Sequence, residues 1–214
     1  MINVTIDLSH AQSDVNFLQA AADGIVAVIH KATQGTGFVD PRYQPRTALA
    51  ADAGLLYGAY HFGTGDGTGE QQADFFLAQA APATLLVLDF EENPRGTSMT
   101  LEQARAFVSR VHDVTGRWPG LYAGHYLAEQ LGDAEESVLT NCWFWLAQYA
   151  PAPTRLPPQW PDWTFWQYTD GASGPTPHSV VGVGPCDRDQ FNGDLDALRA
   201  LFGAAPPTVA SGTG

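Results

Sequence analysis

Asp89 and Glu91 stand two residues apart at the end of an apolar run, Leu85-Leu86-Val87-Leu88. Side chains alternate faces along a strand, so these two carboxyls point the same way and Phe90 points the other. Two acids held side by side repel each other, which keeps one protonated while its neighbour stays ionised. Glycosidic bond cleavage uses that pairing: a proton donor for the leaving oxygen, and a negative charge to support an oxocarbenium-like transition state. A lone Asp-x-Glu fits equally well a turn with both acids in water, so the motif takes its weight from the rest of the chain. Glu92 follows Glu91 and is expected on the opposite side, facing solvent.

The apolar run reads as a strand buried on both faces, the kind found inside a parallel α/β sheet or barrel. Other stretches have the same character. Strands are expected over Asn3 to Leu8, Ile25 to Lys31, Leu55 to Phe62, Pro119 to Gly124, Trp143 to Tyr149 and Thr164 to Thr169, with a possible eighth over Asp187 to Phe191. Helices are expected over Asp14 to Ala22 with Ser13 or Asp14 as cap, Pro41 to Ala53, Glu70 to Ala80, from a Ser98 or Thr100 cap to Val114, Tyr126 to Leu131, and Leu195 to Phe202. The Gly-rich stretch Gly63 to Gly69 lacks the lysine of a phosphate loop and reads as a plain loop. Strand and helix alternate five times, and strands then follow with little helix between them. That order suggests a (β/α) barrel with a degenerate second half, whose active site lies at the C-terminal ends of its strands. Polar residues occupy those ends: Asp7, Lys31, His61, Asp89 with Glu91, Tyr122, Gln148, Gln167 and Asp187.

At 214 residues the chain suits one domain, residues 1–203, followed by an Ala/Pro/Thr/Ser/Gly-rich flexible tail or linker, residues 204–214. The net charge of −13 argues against a nucleic-acid partner and against charge-driven binding to an anionic membrane or wall. No stretch approaches the roughly 18 apolar residues of a membrane span. The N-terminus lacks the basic and apolar regions of a signal peptide. The protein is therefore expected to work in the cytoplasm, to be exported by another system, or to have lost a signal. Cys142 and Cys186 form no framework, and two buried thiols are expected in preference to a disulfide. No Cys/His cluster has metal spacing, so no metal and no cofactor are expected.

With these stretches in place, the chain resembles glycoside hydrolase family 25, the Chalaropsis-type lysozymes or N-acetylmuramidases. The likeness runs from Asp7 to about Phe202. It rests on Asp7-Leu8-Ser9-His10-Ala11-Gln12, His30-Lys31-Ala32-Thr33-Gln34-Gly35, Gly58-Ala59-Tyr60-His61-Phe62, Val87-Leu88-Asp89-Phe90-Glu91, Gly120-Leu121-Tyr122-Ala123-Gly124, Trp145-Leu146-Ala147-Gln148-Tyr149, Trp166-Gln167-Tyr168-Thr169 and Cys186-Asp187-Arg188-Asp189-Gln190-Phe191-Asn192-Gly193. Each is weak alone; in this order and spacing the set is strong. The resemblance implies an irregular TIM-like (β/α)5(β)3 barrel that hydrolyses the β-1,4 bond between N-acetylmuramic acid and N-acetylglucosamine. It implies Glu91 as general acid and Asp89 as its partner, orienting or stabilising the 2-acetamido group, with Asp7 and Asp187 as two further pocket acids. The implied partner is the glycan of peptidoglycan, met by a monomer beyond the cytoplasm and reached through lysis, a holin or a secretion system. The family usually has Glu where this chain has Gln34, and often Asn where it has Asp189. The second departure leaves open which of Asp187 and Asp189 faces the pocket, and register with the motif favours Asp187.

Each residue also has a plainer reading. Asp7 and Lys31 can form a buried ion pair in the barrel mouth. His61 suits a satisfied core histidine as well as a substrate contact. Most of the clustered tryptophans, Trp143 to Trp166, belong in a core, with one or two free to stack on sugars. Tyr60, Tyr122 and Tyr168 carry hydroxyls that can reach a sugar or a carboxylate, and Gln148 and Gln167 carry amides that can do the same. A chitinase-like hydrolase is the nearest alternative, but no acid lies among residues 84–88, where its longer acidic run would extend. A wall-binding module that has lost its chemistry is the alternative from another class, and intact Asp89 and Glu91 speak against it.

Overall fold

The computed structural model describes residues 1–80 and 85–203. Eight strands close into a barrel: β1 (Ile2–Leu8), β2 (Ala27–Gln34), β3 (Leu56–Phe62), β4 (Leu85–Phe90), β5 (Gly120–Ala123), β6 (Trp143–Ala147), β7 (Phe165–Thr169) and β8 (Asp187–Phe191). From β1 to β7 each strand pairs in parallel with the next. β8 runs antiparallel to both β7 and β1 and closes the ring. A helix follows each of the first five strands: α1 (Phe17–Ala22), α2 (Tyr43–Asp52), α3 (Gly69–Ala80), α4 (Leu101–Thr115) and α5 (His125–Leu131). Among the described residues no α-helix lies between β6 and β7 or between β7 and β8, and α6 (Leu195–Leu201) comes last. The segment 204–214, expected to be a tail, lies outside the described residues.

The alternation of side chains decides what each strand offers the interior. Ala27, Ile29, Leu85, Val87, Tyr122, Trp145, Phe165 and Phe191 pack together inside the barrel, and Leu198 and Phe202 of the α6 region join them at the floor. The opposite faces of the neighbouring strands, such as Ala59, Leu88, Phe90, Leu121 and Ala123, join one cluster with buried residues of α3, α4 and α5. Gly120 is required here: a Cβ on it would lie 2.2 Å from the Trp143 ring that fills the same space. The register of β1 shifts between Ile2 and Thr5. This irregularity lets Ile2 and Val4 join the floor cluster while Asp7 still faces inward.

The helix ends follow local chemistry. Thr100 and Gln103 form a reciprocal capping box at the start of α4, and Gly116 ends the helix in the left-handed region at φ 72°. α1 begins later than expected. Its cap is Asn16, which accepts from the Gln19 amide at 3.1 Å, not Ser13 or Asp14. The reason lies in tertiary structure: buried Arg46 donates to the carbonyls of Ser9 and Gln12, so residues 9–13 are held as a loop against the barrel. Cys142 and Cys186 are both buried, free thiols.

Candidate active site

Because β8 runs backwards, its first residue, Asp187, reaches the rim where the other strands end, and it pairs directly with Asp7 of β1. Asp89 sits at the end of β4 and Glu91 just beyond it. These four acids, with Tyr60, Tyr122, Trp145, Tyr149 and Gln167, line one cavity of about 180 Å³. Glu91, Tyr122 and Tyr149 also line an adjoining open groove of about 900 Å³, which continues along His125, Tyr126, Glu129, Leu146 to Ala150, Glu92 and Arg155. Glu92 is exposed, as expected.

Gln167 organises the cavity. Its Nε2 donates to Asp7 Oδ2 at 2.7 Å, and its Oε1 accepts from the hydroxyls of Tyr122 at 2.7 Å and Tyr149 at 2.9 Å. One amide thus joins β1, β5, β7 and the segment after β6. Asp89 is 7% exposed, and its Oδ1 has no hydrogen-bond partner among the described residues. Burial raises the pKa of Asp89, and the charge of Glu91 raises it further, while the Lys31 ammonium opposes both. Burial likewise raises Glu91, against the pull of Lys31 and His125. Asp7 is raised by burial and by the charges of Asp187 and Asp189, with the Gln167 hydrogen bond opposing. Asp187 is pushed up to about 6, first by burial and then by Asp170. Desolvation and mutual repulsion therefore both favour keeping protons in this site at a pH where free carboxyls have lost them.

Lys31 faces inward but makes no ion pair with Asp7. Its Nζ donates to Gln34 Oε1 at 2.7 Å and lies 4.7 Å from the centre of the Phe62 ring. A neutral amide as partner leaves the charge of Lys31 to act on Asp89, Asp40 and Glu91. Asp189 also faces inward, one layer below the mouth. It is fully buried, accepts from Trp145 Nε1 at 2.8 Å, and is raised well above the usual carboxylate range by burial. Asp187 lines the cavity; Asp189 lies beneath it.

Two residues expected to touch substrate, His61 and Tyr168, point away from the cavity, and a third, Gln148, lines the groove with its amide already engaged. His61 follows inward-facing Tyr60 and so points outward, where it stacks on Phe107 with ring centres 4.9 Å apart. The Gln72 amide is fixed by donating to the carbonyls of Thr64 and Asp66, so its oxygen accepts from His61 Nε2 at 3.1 Å, while His61 Nδ1 pairs with the Thr33 hydroxyl at 2.7 Å. Burial lowers the His61 pKa to about 4, and the ring is a neutral core histidine. Tyr168 follows inward-facing Gln167 and also points outward; its hydroxyl accepts from Asn3 and donates to the Pro177 carbonyl. Gln148 lines the groove, but its amide is consumed by the loop behind it: Oε1 accepts from the backbone N–H groups of Thr154 and Arg155, and Nε2 donates to Thr154 Oγ1. Trp145 and Tyr149 line the cavity without having been singled out from the sequence. The pairing of Trp145 with Tyr122 on adjacent strands is the signal that finds the first of them.

Comparison with known proteins bears on what this cavity does. Lysozyme M1 of Streptomyces globisporus is 33% identical over 92% of this chain and 70% of its own length. The N,O-diacetylmuramidase of a Chalaropsis species is 31% identical, over 91% of this chain and 96% of its own. The solved structure of a family GH25 lysozyme from Aspergillus fumigatus superposes with a TM-score of 0.82 at 31% identity, covering 95% of this chain and all of that one. The family model of glycosyl hydrolases family 25 matches residues 6–176, a span that holds Asp7, Asp89, Glu91 and the Gln167 network, and the chain belongs to that family.

Proposed function

We propose that this glycoside hydrolase cuts the β-1,4 bond between N-acetylmuramic acid and N-acetylglucosamine in peptidoglycan, with Glu91 as general acid and Asp89 as the neighbouring carboxylate. The observation that carries the assignment is the position of Glu91, which lines both the closed cavity and the open groove. A glycan that fills the cavity with one sugar and continues along the groove passes its scissile bond over that carboxyl. Asp89 lies deeper, and its unpartnered Oδ1 is an acceptor awaiting a donor. The N–H of a 2-acetamido group supplies one, and a hydrogen bond there favours the charged form of Asp89, leaving the pair's shared proton on Glu91. Asp7 and Asp187 add negative potential around the developing oxocarbenium ion. The names of the relatives, lysozyme and muramidase, agree with this substrate.

The pair works with one proton between its two members. The rate should fall at low pH when the second proton binds, and at high pH when the last one leaves. Both carboxyls are raised, so this window lies above the range of free carboxylates. Glu91→Gln keeps the shape without the proton and should lower turnover by about 10²-fold or more. Mass spectrometry of fragments released from defined peptidoglycan tests the reading. Products ending in reducing N-acetylmuramic acid support it; products ending in reducing N-acetylglucosamine, or unimpaired turnover by Glu91→Gln, refute it. Chitin oligomers cut faster than peptidoglycan would favour the chitinase-like reading.

A further inference from the structure

The groove beyond Glu91 is lined by two further acids, Glu92 and Glu129, in a chain with only ten Lys and Arg residues. One of those ten, Arg155, lines this groove. Arg155 is exposed and makes no ion pair among the described residues, whereas Arg105, Arg110 and Arg199 each face an acid. Its placement is built. The Gln148 Oε1 accepts from the backbone N–H groups of both Thr154 and Arg155 at 3.0 Å, and Nε2 holds Thr154 Oγ1 at 2.9 Å. Gln148 is itself fixed: its carbonyl accepts from Trp166 Nε1 at 2.7 Å, and its N–H donates to the Gln167 carbonyl at 3.2 Å. The same strand end therefore sets both the amide that organises the cavity and the loop that carries the guanidinium. Pro151 and Pro153 stiffen that loop, which lowers the entropy cost of presenting Arg155 to a ligand.

Resting on the muramidase reading above, we infer that Arg155 is a specificity residue that pairs with a carboxylate branching from the glycan as it runs through the groove. A neutral acetamido-sugar polymer offers nothing for a cation in this position, and the surrounding glutamates would repel an acidic branch without one. In a muramic-acid glycan the carboxylate has two sources, the lactyl group itself or the peptide attached to it. A guanidinium suits either, through paired N–H donors.

Three soluble glycans separate the possibilities: a peptide-free glycan with free lactyl carboxylates, the same glycan with those carboxylates converted to methylamides, and a peptide-bearing glycan. Arg155→Ala should raise KM about 3- to 10-fold on an acid-bearing glycan, the scale of a partly solvated charged pair. It should leave the methylamide glycan unaffected, and Arg155→Lys should recover part of the loss. A loss on the free-lactyl glycan identifies the lactyl group; a loss confined to the peptide-bearing glycan identifies the peptide. Equal losses on all three, or none on any, would overturn the inference. Dissociation constants measured in a Glu91→Gln background, with and without Arg155→Ala, read the contact independently of turnover. If wild type cut none of the glycans, the muramidase reading would fail while this binding comparison still judged Arg155.

Discussion

Asp187→Asn should make the protein more stable and less active, and only the stability gain should depend on pH in a way fixed beforehand. Asp187 is moved from an ordinary 3.8 to about 6 by burial and by Asp170. At about 1.36 kcal/mol per pH unit, that displacement corresponds to roughly 3 kcal/mol held against the folded state once the carboxylate is ionised. The sign follows from the raised value. The folded state binds the Asp187 proton more tightly than the unfolded chain does. The penalty is therefore absent below pH 3.8, builds as the pH rises from there through 6, and is complete above it. Asparagine has the same size and no charge to desolvate. The variant should gain nothing at pH 3.5 and about 2–3 kcal/mol at pH 8, and its Tm should rise there by about 5–10 °C for a chain of this length. Thermal unfolding of both proteins at the two pH values measures the difference directly. An equal gain at both values, or a lower Tm for the variant at pH 8, would refute the claim that the site stores unfavourable charge.

Replacing Gln167 with Leu removes three hydrogen bonds at once and leaves the Asp7 carboxyl and two phenols without their partner. We expect kcat/KM on a soluble glycan to drop at least about 10-fold and denaturant unfolding to show a loss of about 2–3 kcal/mol. Gly69→Ala would place a Cβ 2.0 Å from the Gln103 carbonyl, so α3 and α4 must separate. A loss of about 3 kcal/mol with unchanged kcat is expected, measured by urea titration and by assay below the transition. Thr100→Ala breaks the α4 capping box and should cost about 1 kcal/mol in the same titration, with activity retained.

The barrel was legible because its strands are continuous apolar runs ending in polar residues, a pattern that survives without any knowledge of contacts. The acid pair was legible for the same reason: Asp89 and Glu91 follow four aliphatic residues and share a face. His61 and Tyr168 were misplaced by reading strand ends as patches. Tyr60 with His61, and Gln167 with Tyr168, are adjacent on extended backbone, and only one of each couple can face the cavity. That parity was available in the sequence, but which member faces inward depends on how the strand is packed. The late start of α1 was not available, since Arg46 reaches across from α2 to hold the preceding loop. Nor was the direction of β8, which sets Asp187 at the rim and Asp189 beneath it. A strand's hydrophobic pattern is the same read in either direction, and orientation comes only from pairing. Arg155 lay hidden in a proline-rich loop whose placement depends on an amide seven residues earlier in the chain.

The packing of α6 under the barrel has an engineering consequence. Leu198 and Phe202 sit against the starts of the strands together with Ile2 and Val4, so both ends of the described barrel emerge on the face farthest from the candidate active site. A fluorescent reporter, an affinity handle or a surface-targeting module joined directly to Ile2 or to Gly203 would start on the underside, away from the proposed glycan path. Grafts intended to change what the enzyme cuts belong instead in the segment after β6, where Tyr149, Ala150 and Arg155 line the groove.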